Sequence, residues 1–156
     1  MVTFQLLGLY QNEAAVTHSS TAYNELMQES PKVSSILGKM FCKIANVAFS
    51  ENQELMTEYS IPSIGHPDFD IPIREDNCVP NLTFTSGGFF NPLHRDTKDL
   101  SDFAFGLFVP VNKHDWSIAT NKPHFNLAGG AFVFPDYRCG IDFLKHDGFV
   151  KVVWRA

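Results

Sequence analysis

His94 and Asp96 are the residues of this sequence best suited to chemistry. They stand two apart in "GGFFNPLHRDTKD", residues 87–99, a largely apolar run opened by a glycine pair. In an extended strand, residues i and i+2 project to the same face, so the imidazole and the carboxylate share a side and Arg95 points away. A histidine nitrogen beside a carboxylate oxygen supplies two of the three ligands of a facial Fe(II) site, which keeps positions open for a co-substrate and O₂. The third ligand must then be a histidine from a distant strand. Two other readings compete. A kinase-type catalytic loop follows H-R-D-x-x-x-x-N, and Ser101 stands where its asparagine belongs. The chain also has no Gly-rich nucleotide loop and no VAIK-like lysine, and 156 residues are too few for a kinase domain. An ordinary surface turn is the third reading, because H-x-D recurs by chance.

The elements that must position these residues divide the chain. Residues 1–60 read as helical. Ser30 is an N-cap candidate with Pro31 at the first helical position. Val33, Ile36, Leu37, Met40, Phe41, Ile44, Val47 and Ala48 then recur at helical spacing, a stripe expected to cover the outer face of a sheet. Ser50 with Gln53 has the pattern of a capping box for a short helix over about 51–59. An earlier helix is expected around 12–28. Residues 61–81 hold four prolines and form a connector without a long helix. From Leu82 onward the period changes to that of strands. "LTFTSGGFF" starts one, "FAFGLFVPV" (103–111) is apolar on both faces, and "AFVFP" (131–135), "IDFLK" and "FVKVVWRA" follow. Asp147-Gly148 is a hairpin-type turn signal. Short strands with Gly/Pro turns indicate a sandwich or barrel.

Composition bounds the rest. The length suits one domain, 1–156, and 44% hydrophobic against 19% charged residues supports a real core. A net charge of −5 lacks the basic footprint of a nucleic-acid binder, so charge gives no support to such a partner. Cys42, Cys78 and Cys139 form no CxxC or zinc spacing, and the odd count suggests free thiols in a reducing compartment. "MVTFQLLGLY" has no basic n-region and is too short for a signal peptide or a membrane span. The expectation is an intracellular protein, cytoplasmic or nuclear, with no membrane partner.

"NPLHRDTKDLSDFAFGLFVPV", "GGAFVFPDYRCGIDF" and "DGFVKVVWRA" together have the order of a double-stranded β-helix oxygenase. Over residues 82–156 the sequence resembles the 2-oxoglutarate/Fe(II)-dependent dioxygenase superfamily, in particular the Tet-like branch expanded in fungi. The resemblance implies an α+β fold, helices packed on a jelly-roll sheet, with Fe(II) and 2-oxoglutarate as cofactor and small-molecule co-substrate. It implies hydroxylation of an unactivated C–H bond, with succinate and CO₂ as by-products, and it makes His94 and Asp96 metal ligands. Methylated bases are the substrate it hints at. In such proteins the second histidine and the basic residue that anchors 2-oxoglutarate lie beyond the strand resembling "DGFVKVVWRA". The chain stops at Ala156, so the sheet is expected to be incomplete at its C-terminus and the third ligand is not found. His146 and His124 are the substitutes weighed first; His114, His66 and His18 read as loop histidines, Gly129-Gly130 as a tight turn, Trp154 as core and Arg155 as solvated. On this count, micromolar metal should barely raise the melting temperature and no succinate should form. The rival reading is a catalytically inactive, truncated relative that acts as a binding or interaction module.

Overall fold

The computed structural model describes residues 17–67, 71–80, 82–83, 85, 92–93, 99–112, 114–119, 131–146 and 148–155. Among these lie two helices, α1 (Ser20–Ile44) and α2 (Asn46–Glu58), and four strands. The strands are β1 (Phe103–Phe108), β2 (Phe132–Phe134), β3 (Cys139–Ile141) and β4 (Val150–Arg155). The fold is α+β with small antiparallel sheets. No described helix is long and apolar enough to cross a membrane.

α1 corrects the expected helix start. It runs through Pro31 instead of beginning there. Proline has no N–H for the carbonyl four residues back, and here that carbonyl belongs to Met27. The Ser30 hydroxyl donates to it at 2.8 Å, so the helix continues with its backbone satisfied. The buried face is also rotated from the expected stripe. Ser30, Ser34, Gly38 and Phe41 are buried, while Val33, Ile36, Ile44 and Val47 are exposed. Close backbone approach and hydrogen bonds to the connector select that face. The Ser34 hydroxyl donates to Asn77 Oδ1 at 2.9 Å, and Gly38 lies against the Asp76 carbonyl.

The expected capping box at Ser50 is absent as well. Ser50 sits inside α2, whose N-cap is Ala45. Gln53 instead sends its amide to the carbonyls of Arg74, Glu75 and Asn77 at 3.0, 3.1 and 2.8 Å. The connector contains no long helix among its described residues, as its prolines require.

β1 pairs with β4 in antiparallel register, Phe103 opposite Arg155 through Phe108 opposite Val150. One face of this pair meets the helices. Phe41 stacks on Phe105 with centroids 5.3 Å apart and meets Phe49 edge-on at 5.9 Å, and Phe103 and Val153 pack on the same cluster. The other face meets the β2–β3 pair. Trp154 lies against Phe132 and Phe134 at 5.5 and 6.1 Å, and Phe108 against Phe132 at 5.4 Å. Both faces of the 103–108 strand are therefore covered with apolar side chains, as its sequence indicates. "IDFLK" is not a strand. β3 ends at Ile141, and Phe143–Lys145 turn as a short 3₁₀ helix capped by Asp142, which accepts from the Leu144 N–H at 3.1 Å. That turn swings the chain away from β3, so β4 forms no hairpin with it and pairs with β1. Gly148, at φ +124°, takes a conformation that residues with a side chain rarely adopt; Asp147 lies outside the described residues.

Cys78 joins the core with Phe41, Ala48 and Phe49. Burial, and secondarily the neighbouring Cys42, push its thiol up to about 12, so it stays protonated and unreactive at neutral pH. Cys42 and Cys139 are exposed free thiols.

Candidate functional site

His94 and Asp96 lie outside the described residues, as does His124. The described chain resumes at Asp99 and reaches β1 at Phe103. That start is fastened on two sides. From α2, Asn52 donates its side-chain amide to the Phe103 carbonyl at 3.1 Å, and Asn52 is only 3% exposed. From β4, the Arg155 guanidinium lies 3.3 Å from the Asp102 carboxylate. This second pair is exposed and contributes little to stability. By residue type, an imidazole with a carboxylate, as in His94 and Asp96, is a donor set that fits Fe(II).

The connector is held to the helices by a polar cluster. Asn77 is buried and its side-chain oxygen accepts from the hydroxyls of both Ser34 and Ser63, at 2.9 and 2.8 Å. Its amide donates to Asp76 Oδ1 at 2.7 Å, and the Ser35 hydroxyl donates to Asp76 Oδ2. Lys39 approaches the same carboxylate at 3.7 Å. The Ser35 hydrogen bond is the main reason that the Asp76 carboxyl is held below its usual 3.8; partial burial opposes this, and Asn77, the backbone and Lys39 add to it. A carboxyl depressed on folding stabilises the fold above its unfolded pKa. That contribution is lost as pH falls through the folded pKa. Denaturation midpoints measured from about pH 6 down to about pH 3 should therefore fall, and fall less steeply in Ser35→Ala. Equal acid sensitivity in the two proteins would refute the assignment.

The other histidines are scattered. His146 follows the 143–145 turn and is exposed. It precedes β4, which starts at Val150. His114 is exposed in a turn, and His18 is exposed ahead of α1. His66 bridges to Ser63, and its Nε2 lies 3.3 Å from Arg74 Nη1. Among the described residues, no three His, Cys, Asp or Glu side chains come together as a metal cluster. Trp154 packs in the half-buried layer between the sheets, and Arg155 is exposed but paired with Asp102.

Sequence reasoning missed Asn52 and Asn77 and gave Gln53 a capping role that it does not play. Each uses an amide to hold a distant backbone or hydroxyl. The partners lie 51, 24 and 43 residues away, so spacing along the chain carries no trace of them.

The described residues form two antiparallel strand pairs, with the helices packed on one face of the β1–β4 pair. The family model of the Tet-like 2OG-Fe(II) oxygenase superfamily matches residues 1–156, the whole chain, and the chain belongs to that superfamily. No curated protein and no solved structure matches it.

Proposed function

We propose that this chain carries the Fe(II)- and 2-oxoglutarate-dependent oxygenase chemistry of its superfamily on a jelly-roll type sheet, with His94 and Asp96 as two of the metal ligands. The single observation that supports this reading is the family match over the full length, which spans the H-x-D run. Bound Fe(II) with 2-oxoglutarate supplies the oxidising power for C–H hydroxylation. The protein's own part is positional. His94 would offer an imidazole nitrogen and Asp96 a carboxylate, two donors that share a side wherever a chain is extended. Asn52 and the Asp102–Arg155 pair fasten the strand into which that segment runs. The helices and the β2–β3 pair pack aromatic side chains against both faces of that half-buried strand.

The test is metal binding read by melting under anaerobic conditions. With His94 and Asp96 among the ligands, Co(II) should raise the melting temperature as its concentration rises. At 100 times its dissociation constant a ligand stabilises the fold by about 2.7 kcal/mol. Raising Co(II) into the millimolar range should therefore produce a shift that is absent in His94→Ala and in Asp96→Ala. A shift retained in both variants sinks the assignment. Succinate formed from 2-oxoglutarate in air, dependent on Fe(II) and lost in His94→Ala, would show that the third ligand is present, and His146→Ala and His124→Ala would then locate it.

A further inference from the structure

Two cysteines outside the proposed metal site sit where α1 packs on the connector. Along α1, Ser35, Gly38 and Lys39 all meet Asp76. The Ser35 hydroxyl donates to its carboxylate, Gly38 lies against its carbonyl, and Lys39 approaches at 3.7 Å. Cys42 continues this row one helical turn past Gly38, an advance of about 6 Å. The connector makes the same advance. Cys78 follows Asp76 by two residues, at most about 7 Å of extended chain. It packs with Phe41, near the C-terminal end of α1, and with Ala48 and Phe49 of α2. The connector therefore runs along α1 toward that end, and the matched steps set Cys78 beside Phe41 and its chain neighbour Cys42. Cys42 also acts on Cys78 through space, as the second cause, after burial, of the rise of that thiol to about 12.

The two thiols differ in access. Cys42 is exposed and open to a solute, whereas Cys78 is 1% exposed and meets none. Cys139 is exposed as well. It lies on β3, in the strand pair that covers the other face of the β1–β4 pair, away from α1. It serves as an internal control for exposure without a neighbouring thiol on the connector.

We propose that Cys42 and Cys78 form a reversible disulfide when the protein meets hydrogen peroxide, so that α1 and the connector are stapled together. Exposure sets the order of events. Peroxide first oxidises the Cys42 thiol to a sulfenic acid; an S–O bond forms, the O–O bond breaks and one water leaves. Cys78 Sγ then attacks Cys42 Sγ. The S–S bond forms, the S–O bond breaks, and the oxygen departs with the Cys78 proton as a second water. Two thiols lose two electrons in all, and peroxide gains them. The protonated state of Cys78 makes this closure the slow step, and the fixed placement of the two chains favours it over capture of Cys42 by a thiol from solution. A thiol reductant reopens the bond, which returns Cys42 before it passes to the irreversible sulfinic acid.

Peptide mapping of the folded full chain tests this. The protein is treated with hydrogen peroxide, free thiols are blocked, and the digest is analysed without reduction. The expected product is a peptide pair joined through Cys42 and Cys78 within one chain, absent after dithiothreitol. The melting temperature should rise on oxidation and return on reduction, because the bond constrains the unfolded chain. Cys139→Ser should leave the crosslink unchanged. In Cys78→Ala, dimedone should label Cys42 in place of the crosslink, and the melting curve of the reduced variant shows whether it is folded. Oxidation of Cys42 to the sulfinic acid while Cys78 stays a free thiol in the unmodified chain overturns the proposal. So does a crosslink that forms only in urea, or one that joins Cys42 to Cys139 or to a second chain.

Discussion

Phe41→Ala should lower the unfolding free energy by about 3–5 kcal/mol, the range for deleting a fully buried aromatic side chain. Phe41 is 1% exposed and is the side chain through which α1 reaches the sheet. Its ring lies nearly parallel to that of Phe105, at an interplanar angle of 8°, and at 87° to that of Phe49 on α2. One truncation therefore removes contacts among α1, α2 and β1 and leaves a void that none of them can close alone. The comparison is Ile44→Ala, one turn along the same helix and exposed. It should change stability by no more than about 0.5 kcal/mol beyond the small difference in helix propensity. Urea denaturation of the two variants decides the matter. Equal losses would mean that α1 presents the other face.

Gly38→Ala should destabilise the protein, against the usual sign. Alanine in place of glycine inside a helix ordinarily gains about 1 kcal/mol. At position 38 the new Cβ would overlap the carbonyl of Asp76, a backbone atom that cannot rotate aside. The connector must then lift from α1, which strains the hydrogen bonds of Ser34, Ser35 and Asn77 that hold it. Overpacking of this kind costs about 1–3 kcal/mol and sometimes more. Since Gln53 ties the same connector to α2, the loss should appear as a lower denaturation midpoint with faster amide exchange at Asn77 and Cys78. A Gly38→Ala protein as stable as the parent would show that the helix and connector do not approach this closely.

Two strands were legible from their apolar faces: "FAFGLF", apolar on both, forms β1, and "VKVVWR", with Val150, Val152 and Trp154 on one face, forms β4. Prolines in 61–81 excluded a helix for a local reason, the missing N–H. The H-x-D pair was read from a spacing of two, which puts both donors on one side wherever a chain is extended; His94 and Asp96 lie outside the described residues. Position 31 misled because the proline signal is local and its remedy, the Ser30 hydroxyl on Met27, is local too but weaker to read.

By itself the sequence determined the α+β order, the strands β1 and β4 and the superfamily, and it nominated His94 and Asp96 as ligands. Tertiary structure alone decided which face of α1 is buried, because its most apolar stripe lost to a seam of serine and glycine that admits the connector backbone. It also decided that β4 crosses to β1 instead of returning along β3, since the 143–145 turn redirects the chain before strand pairing begins. Local periodicity records what each segment needs to bury. Which neighbour does the burying depends on contacts 40 or more residues apart, such as Ser34 with Asn77 and Asn52 with Phe103.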